Sequence, residues 1–399
     1  MVFSSLFPSA VQPGAGLFIR ERMFRVAKRL PLCVVAPAPW FPLQTALRRF
    51  KPGFRPGSPE VERQSGIDVW YPRYLSVPGV LKQFDGRCMA HAALPRLRAI
   101  QNERGIDVLD AHFAYPDGYA AGLLGRKLGV PVTITMRGTE SRHARDPRLR
   151  PLVVQALQRA DRIFAVSESL RQVALSLGIA PDKVRVVGNG VDLERFRAIP
   201  QAQARDAMRL PAEAQVLVTV GGLVERKGFH RVIELMPQLL QAHPNLHYLV
   251  AGGPTVEGDW TQRLHALAQS LGLAERVHFL GPVAPADLHR VLSAADLFVL
   301  STRNEGWANV LLEAMACELP VVTTDVGGNR EVVCTEALGT VVPFGQADAL
   351  AQAISTGLQK RWDKQHIRRY AEANTWARRV DDLDAEFRAL AAAGARHLL

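Results

Sequence analysis

Short runs of β-branched and apolar residues alternate with longer amphipathic stretches along almost the whole chain. This alternation is typical of βαβ units, in which helices connect parallel strands. In the first half the strand-like runs are residues 2–6, 32–36, 108–112, 132–136, 162–166 and 184–187. In the second half they are residues 216–220, 246–251, 277–280, 297–300, 321–324 and 339–342. The sequence therefore predicts an α/β protein with two doubly wound parallel sheets.

The predicted domains meet at a region without strand character. With 399 residues the chain is too long for one ordinary core. Residues 189–211 carry turn residues, so we place one domain at 1–190 and a second at 191–375. The segment 376–399 begins with a predicted amphipathic helix over 376–391. Residues 43–59 are basic and rich in Pro and Gly, which predicts a surface excursion outside the core.

Charge is distributed unevenly between the two halves. Residues 1–190 hold 28 Lys and Arg against 14 Asp and Glu, and residues 191–399 hold 21 against 24. A basic half can attract nucleic acid, anionic lipid or a phosphorylated substrate, although surface arginines also serve solubility alone. Since aromatic-interleaved RNA-binding runs and DNA-reading motifs are missing from the basic half, nucleic acid is not a predicted partner.

Composition predicts a cytoplasmic protein. No run approaches the roughly 18–20 apolar residues of a membrane span, and the N-terminus shows no secretion-signal pattern. The four cysteines are scattered without CxxC spacing. This spacing argues against a zinc site and fits a reducing compartment.

Two glutamates follow the predicted strand 297–300: Glu305 in a loop, and Glu313 inside a helix that begins near residue 308. A helix N-terminus presents unpaired N–H groups and partial positive charge, so the backbone of Asn309, Val310 and Leu311 can hold a phosphate. A buried Glu313 needs hydrogen bonds, which ribose hydroxyls would supply. Glu305 is placed to accept sugar hydroxyls. An exposed loop glutamate followed by a core-edge glutamate explains the spacing equally well.

Arg226 and Lys227 follow the glycine pair Gly221 and Gly222, between a predicted strand and a helix. Ligands bind parallel sheets at the carboxyl ends of strands. Two adjacent cations there can neutralise a leaving diphosphate as its charge grows in the transition state. An isolated Arg-Lys pair is more often solvated surface, so these residues alone leave both interpretations open.

Gly14 and Gly16 lie in the loop before the first predicted helix, 17–28. The loop suggests a dinucleotide fingerprint, but Ile19 occupies the place of the third glycine, and no acidic residue follows the second strand. NAD is therefore not a predicted cofactor. Gly16 is instead predicted to let the backbone closely approach a group across the cleft, with Gly14 beside it.

Five segments resemble, in order, those of one enzyme family. Residues 305–313 and the sequence EAMAC resemble the nucleotide-sugar site of retaining glycosyltransferases of family 4. Residues 220–236 (VGGLVERKGFHRVIELM) are similar to the family's glycine turn and Arg-Lys-Gly helix start, and residues 321–333 (VVTTDVGGNREVV) to its last donor-side loop. Residues 160–170 (ADRIFAVSESL) and 184–196 (VRVVGNGVDLERF) resemble the segments that close its first domain. The resemblance implies the GT-B fold: two Rossmann-like domains facing a cleft, with the C-terminal helix crossing back onto the first.

The resemblance also implies site residues. Arg226, Lys227, Glu305 and His112 would form the catalytic group, with the strand-end His112 contacting the donor sugar. A lone strand-end histidine is more often structural, and that alternative stays open. The first domain would be the acceptor side, and the second would bind the nucleotide sugar. The implied donor-binding residues are Gly14, Gly16, Arg137, Gly138, Gly221, Gly222, Arg226, Lys227, Glu305, Gly306, Asn309, Val310, Leu311 and Glu313.

One departure from the family is Glu318, at a position after Ala-Cys where the family commonly has glycine. Glycine is favoured there because the position often takes a positive φ angle. A different helix end is therefore predicted.

By resemblance, the reaction transfers a sugar from a nucleoside diphosphate sugar to a saccharide or polyprenyl-linked saccharide, with retention of configuration. The leaving phosphate would help to deprotonate the acceptor. Neither metal nor other cofactor is predicted, because the one Asp-x-Asp sequence, Asp382 to Asp384, falls on a charged helix. The implied setting is exopolysaccharide, capsule or lipopolysaccharide synthesis at the inner face of the plasma membrane, where anionic lipid attracts the basic domain. A non-hydrolysing sugar-nucleotide epimerase and a non-catalytic sugar-nucleotide sensor are the alternatives.

Overall fold

The computed structural model describes residues 1–50, 54–55, 57–255 and 257–396. The chain forms two compact units, which are described separately. Unit 1 is Met1–Gly188 with the C-terminal segment from Ala377, and unit 2 is Asn189–Trp376. Residues 51–53 and 56 of the predicted excursion, and residues 397–399 of the predicted C-terminal segment, lie outside the described residues.

Unit 1 is built on parallel β-sheet. Its strands are β1 (Val2–Phe3), β2 (Val34–Val35), β3 (Ala38–Trp40), β4 (Val61–Gln64), β5 (Ile67–Trp70), β6 (Arg73–Leu75), β7 (Leu109–His112), β8 (Val132–Met136), β9 (Arg162–Ala165) and β10 (Val184–Val186). Eight form one sheet in the order β10–β9–β8–β7–β1–β2–β5–β4, with every pair parallel except β4 with β5. A separate parallel pair consists of β3 and β6. The strand order reverses between β1 and β7, so the loops after these strands meet at the carboxyl edge.

The six strand-like runs predicted in this half each contain a strand, although β1 and β2 are only two residues long. The hairpin of β4 and β5 was not predicted from the sequence. Its turn has positive φ angles of 49° at Ser65 and 83° at Gly66. As an edge strand with exposed or half-buried side chains, β4 lacks the apolar run that marks the central strands.

The helices of unit 1 are α1 (Leu17–Val26), α2 (Gln44–Phe50), α3 (Asp85–Arg104), α4 (Tyr119–Leu128), α5 (Thr139–His143), α6 (Arg150–Arg159) and α7 (Glu168–Ser176). The predicted excursion is therefore partly helical, because α2 lies in it and buries Gln44.

Unit 2 contains one sheet with helices on both faces. Its strands are β11 (Gln215–Val220), β12 (Leu246–Ala251), β13 (Val277–Gly281), β14 (Leu297–Leu300), β15 (Val321–Thr324) and β16 (Gly339–Val342). Its helices are α8 (Gln201–Ala207), α9 (Phe229–Ala242), α10 (Thr261–Ser270), α11 (Leu288–Ala294), α12 (Asn309–Ala316), α13 (Asn329–Val332), α14 (Ala347–Gln359) and α15 (Lys364–Ala373). The six strands predicted in this half are all present.

The last helix, α16 (Trp376–Arg396), returns to unit 1. Its residues Val380, Leu383 and Phe387 are buried in the same apolar cluster as Val2 and Ile19. These contacts confirm the predicted crossing of the C-terminal helix onto the first domain.

The unit 2 sheet has the order β13–β12–β11–β14–β15–β16, with all pairs parallel. This is the 3-2-1-4-5-6 order of the nucleotide-binding Rossmann fold. Val216 and Val218 of β11 pack into the cluster on one face, and Leu217 packs into the cluster on the other. The order reverses between β11 and β14, so the loops after these two strands lie side by side at the carboxyl edge.

Glu318, after α12, provides the backbone geometry that glycine usually provides. It takes a left-handed conformation with a φ angle of 63°. Its N–H bonds Met315 O at 3.0 Å, and the Leu319 N–H bonds Ala314 O at 3.0 Å. These are the two hydrogen bonds of a Schellman motif. The predicted different helix end is therefore wrong: the backbone turns as in a glycine-capped helix, with a glutamate in the strained position.

Candidate functional sites

At the carboxyl edge of the unit 2 sheet, the loops after β11 and β14 bring two cations against one carboxylate. Lys227 Nζ lies 2.6 Å from Glu305 Oε1, and Arg226 Nη1 lies 3.3 Å from the same oxygen. Thr302 Oγ1 donates to it at 3.2 Å. The side chains of Lys227 and Glu305 are 15% and 10% exposed. Because little water screens this pair, its attraction is stronger than that of an open surface pair.

Arg226 has a second carboxylate partner that was not predicted. Glu257, in the loop after β12, accepts from Arg226 Nε at 2.6 Å and Nη2 at 2.7 Å. This is the bidentate geometry of a strong ion pair. The hydrogen bonds that Arg226 donates to Glu257 raise the pKa of Arg226, so its guanidinium is a permanent cation.

Glycines let the loops around this cluster pack closely. A Cβ at Gly327, where φ is 54°, would lie 1.7 Å from Glu305 O, so the loop after β15 contacts the Glu305 backbone only with glycine here. A Cβ at Gly222 would lie 2.3 Å from a threonine methyl group in the loop after β12. At Gly221 it would lie 3.6 Å from the aliphatic stem of Lys227. The predicted glycine pair shapes the loop that leads to the cations, whereas Gly327 was missed.

The predicted phosphate-binding helix end is the N-terminus of α12. Ala308 occupies the N-cap position and offers no side-chain acceptor to the first N–H groups. Asn309 Oδ1 accepts from Asn189 Nδ2 at 2.7 Å, and Glu313 is half-buried one turn further along. Of the other predicted residues, Gly306 and Leu311 are buried and Val310 is half-buried. An N-terminus of this kind can bind an anion.

A second cluster lies in unit 1, after β7 and β8. His112 is fully buried, with Nδ1 3.0 Å from Arg137 Nη2 and Nε2 3.3 Å from Asp110 Oδ2. Burial lowers the pKa of His112 to about 4, so the imidazole is neutral at physiological pH. The structure brings His112 and Arg137 together and shields His112 from solvent. Contact between His112 and a donor sugar stays a prediction.

Glu140 holds the loop that carries Arg137 and Gly138. Its buried carboxylate accepts from the N–H groups of Ala114, Arg137 and Gly138 at 2.9, 3.1 and 2.8 Å. Three donated hydrogen bonds offset the cost of burying the carboxylate. Glu140 therefore fixes the backbone at Arg137 and Gly138, the two residues predicted in this loop.

The two N-terminal glycines differ in their surroundings. Gly16 has a φ angle of 66°, and a Cβ there would lie 2.3 Å from Leu6 O. The close approach that the structure shows for Gly16 is to its own loop, and the approach to a group across the cleft stays a prediction. Gly14 has no neighbouring atom within 4 Å of a Cβ position.

Asp117 is a buried carboxyl group that was not predicted from the sequence. The backbone N–H of Ser5 donates to its Oδ1, and Ser5 Oγ lies 3.1 Å from its Oδ2. Burial raises the pKa of Asp117 to about 7. This group therefore changes its charge near physiological pH.

The described part of the chain contains no group of three or more His, Cys, Asp or Glu arranged to hold a metal ion. In the Asp-x-Asp sequence, Asp382 is exposed, whereas Asp384 is half-buried and pairs with Arg388 at 3.0 Å. Among the described helices, none combines the length and apolar character needed to cross a membrane.

Two Rossmann-like units, with a cation–carboxylate cluster at the switch point of the second, define the GT-B fold. A family model described as "Glycosyltransferase Family 4" matches residues 52–195. A second, described as "Glycosyl transferases group 1", matches residues 200–374. Together the two models cover most of both units.

Relatives agree with this family. TuaC of Bacillus subtilis (strain 168), whose name assigns it to glycosyl transfer in teichuronic acid biosynthesis, is 30% identical over 362 residues, covering 88% of this chain and 87% of TuaC. The D-inositol 3-phosphate glycosyltransferase of Saccharomonospora viridis is 32% identical over 315 residues, covering 74% and 73%. HepE of Anabaena, solved in complex with UDP, has the same fold, with a TM-score of 0.71 at 18% identity over 97% and 99% of the two chains. The chain belongs to glycosyltransferase family 4.

Proposed function

We propose that this glycosyltransferase moves a sugar from a nucleoside diphosphate sugar to a saccharide or lipid-linked saccharide, with retention of anomeric configuration. The proposal rests on the contact of Arg226 and Lys227 with Glu305 at the switch point of the unit 2 sheet. Two neighbouring cations match the charge of a diphosphate, and ligands bind Rossmann sheets at this point. HepE, which shares the fold, is solved with UDP and with UDP-glucose.

Each part of the unit 2 site has a proposed role. Arg226, Lys227 and the N-terminus of α12 bind the diphosphate, and Glu313 accepts the ribose hydroxyls. Glu305 holds the two cations when no donor is bound. When the diphosphate binds Arg226 and Lys227, the Glu305 carboxylate is released and accepts hydrogen bonds from hydroxyls of the sugar.

The proposed reaction breaks the bond between the anomeric carbon and the diphosphate oxygen, which leaves with the electron pair. The acceptor oxygen bonds the anomeric carbon from the same face, and its proton passes to the leaving diphosphate. Negative charge grows on the diphosphate as the bond breaks, so fixed cations stabilise the transition state more than the ground state. We propose that Arg226 and Lys227 supply this charge without a metal ion or cofactor.

A lipid-linked acceptor at the inner face of the plasma membrane, within cell-surface polysaccharide assembly, is the proposed setting. Residues 1–190 hold twice as many Lys and Arg as Asp and Glu, which attracts pyrophosphate groups and anionic lipid. The relative TuaC carries teichuronic acid biosynthesis in its name. His112 and Arg137 belong to this acceptor-side unit.

A donor screen followed by two substitutions tests the proposal. Thermal shift with a panel of nucleotide sugars identifies the donor, because a bound ligand raises apparent stability. Release of nucleoside diphosphate is then measured with saccharide acceptors. Removing one charge-stabilising donor costs on the order of 10²–10³ in kcat, and we expect losses of this size for Arg226→Met and Lys227→Met.

The control is Arg290→Met. Arg290 is an exposed arginine of α11 whose Nε lies 3.8 Å from Asp287 Oδ1, so its loss removes a cation outside the proposed site. We expect the control to keep its turnover and EDTA to leave the native enzyme unchanged. Full turnover in both site variants, with folding intact, would refute the site assignment.

The anomeric configuration of the product, read by NMR, tests retention. Isomerised donor without acceptor would favour the epimerase, and donor binding without transfer would favour the sensor.

A further inference from the structure

An unusual share of the exposed apolar side chains lies in two neighbouring segments of unit 1. Among the described residues, 13 large hydrophobic side chains are exposed, and eight of them fall within residues 40–50 and 75–84. Phe50 is 88% and Leu43 is 69% exposed. The eight are Trp40, Leu43, Leu47, Phe50, Leu75, Val80, Leu81 and Phe84. Exposed apolar residues concentrated in this way mark an interaction site more often than scattered ones do.

Strand pairing joins the two segments. Strands β3 and β6 pair in parallel, which places Trp40 opposite Leu75, and the Ser76 N–H bonds Trp40 O at 2.9 Å. Lys82 Nζ donates to Ser76 Oγ at 3.1 Å, which holds the turn after β6 against the end of that strand. Leu43, Leu47 and Phe50 recur at the spacing that puts side chains on one face of a helix.

The charge of these two segments is basic. Their described residues, 40–50, 54–55, 57–58 and 73–84, include five Lys or Arg and neither Asp nor Glu. Asp85, the next residue, is buried and pairs with Lys82 at 3.0 Å. Arg49 and Arg73 are exposed. We refer to the eight apolar side chains together with these two arginines as the apolar–basic surface.

We propose that the apolar–basic surface docks on anionic phospholipid at a bilayer surface. Apolar side chains beside a helix enter the boundary between headgroups and acyl chains, while neighbouring cations attract anionic headgroups. A second copy of this chain fits poorly, because two such surfaces face to face would juxtapose like charges. The inference rests on the proposed function in one respect: docking brings a lipid-linked acceptor within reach of unit 1.

Vesicle co-sedimentation of the full chain tests the docking. The native protein is expected to pellet with an equal mixture of phosphatidylglycerol and phosphatidylcholine at low salt and to remain in solution with phosphatidylcholine alone. A buried CH₂ contributes about fourfold in partitioning, so the double variant Leu43→Ser with Phe50→Ser is expected to bind at least tenfold more weakly. Each arginine near an anionic surface contributes about fivefold, so Arg49→Gln with Arg73→Gln is expected to lose about 25-fold and to show a weaker salt dependence.

Leu271→Ser is the matched control, since Leu271 is an exposed leucine of unit 2; it is expected to bind like the native protein. Thermal melts verify that every variant folds. Native protein that stays in solution with the anionic vesicles, or variants that bind like the control, would overturn the docking. Concentration-dependent dimers abolished by Leu43→Ser with Phe50→Ser, without vesicle binding, would also overturn it and assign the surface to a second copy.

Nucleotide-sugar turnover on a soluble acceptor separates this inference from the proposed function. The surface variants are expected to keep that turnover, because the apolar–basic surface lies outside the proposed donor site. Vesicle binding by a native protein that turns over no nucleotide sugar supports the docking and refutes the proposed function. Turnover of a nucleotide sugar without vesicle binding supports the proposed function and refutes the docking.

Discussion

Replacing Asp117 by asparagine is expected to stabilise unit 1 at alkaline pH. The carboxyl group is buried, and Ser5 donates to it from both its backbone N–H and its hydroxyl. Asparagine has nearly the same shape as a protonated aspartic acid and no charge at any pH. Its Oδ1 can accept from the Ser5 N–H, while its Nδ2 can donate to Ser5 Oγ. The substitution therefore removes the buried charge and keeps the contacts.

The size of the effect follows from the raised pKa. Burial moves the pKa of Asp117 from 3.8 to about 7 on folding. At about 1.36 kcal/mol per pKa unit, ionising this group in the fold costs about 4 kcal/mol, an upper limit because local opening admits water. Because the folded-state pKa is the higher one, the Asp117 contribution to the free energy of unfolding is complete below pH 3.8. It declines as the pH rises towards about 7 and then levels off.

Urea unfolding followed by circular dichroism, at about pH 5 and about pH 8.5, measures this effect. Asp117→Asn is expected to be more stable than the native protein by about 2 kcal/mol at the lower pH, where Asp117 is protonated in the fold and mostly ionised in the unfolded chain. At the higher pH the difference is expected to rise to as much as about 4 kcal/mol. Asp107→Asn, which changes an exposed carboxylate in the same unit, is the control and should follow the native profile. An Asp117→Asn protein that is equally destabilised at both pH values would refute the reasoning.

Two further predictions concern backbone conformation. Glu318→Gly is expected to raise the free energy of unfolding by about 0.5–1 kcal/mol. The left-handed φ angle of 63° strains any residue with a Cβ, and relief of this strain outweighs the entropy that glycine adds to the unfolded chain. An unchanged or lower melting temperature would contradict this. Gly16→Ala is expected to cost more than about 2 kcal/mol, because the new Cβ would lie 2.3 Å from Leu6 O at a φ angle of 66°. Gly14→Ala, with open space at its Cβ, is the matched control, and equal losses in the two variants would refute the close-contact explanation.

Central strands could be predicted because both of their faces are buried. A strand covered on both sides needs mostly apolar residues, so β14 is a continuous hydrophobic run and β12 is one interrupted only by His247. By contrast, β4 pairs on one edge only and has polar side chains at most positions. Its pairing with β5 depends on a turn, and that signal was not recognised in the sequence.

The unit 2 site could be predicted in part. Arg226, Lys227 and Glu305 follow strand ends, and the carboxyl ends of neighbouring parallel strands meet at one edge. Their 2.6 and 3.3 Å contacts agree with this expectation. Glu257 was missed because it follows no recognisable pattern, and Gly327 because the resemblance of residues 321–333 to the family did not single it out. Each acquires its role by contacting a residue far along the chain.

The two-sheet α/β fold, the family and the residues at the strand ends could be predicted from the sequence, because periodicity and short motifs are local properties of the chain. The burial and ionisation of those groups depend instead on tertiary packing. Packing around β7 makes His112 neutral, and burial beside Ser5 raises the pKa of Asp117. Desolvation depends on every atom that surrounds a side chain, and those atoms come from distant segments. For the same reason, the pairing of β3 with β6, which gathers the apolar–basic surface, became visible only in the folded chain.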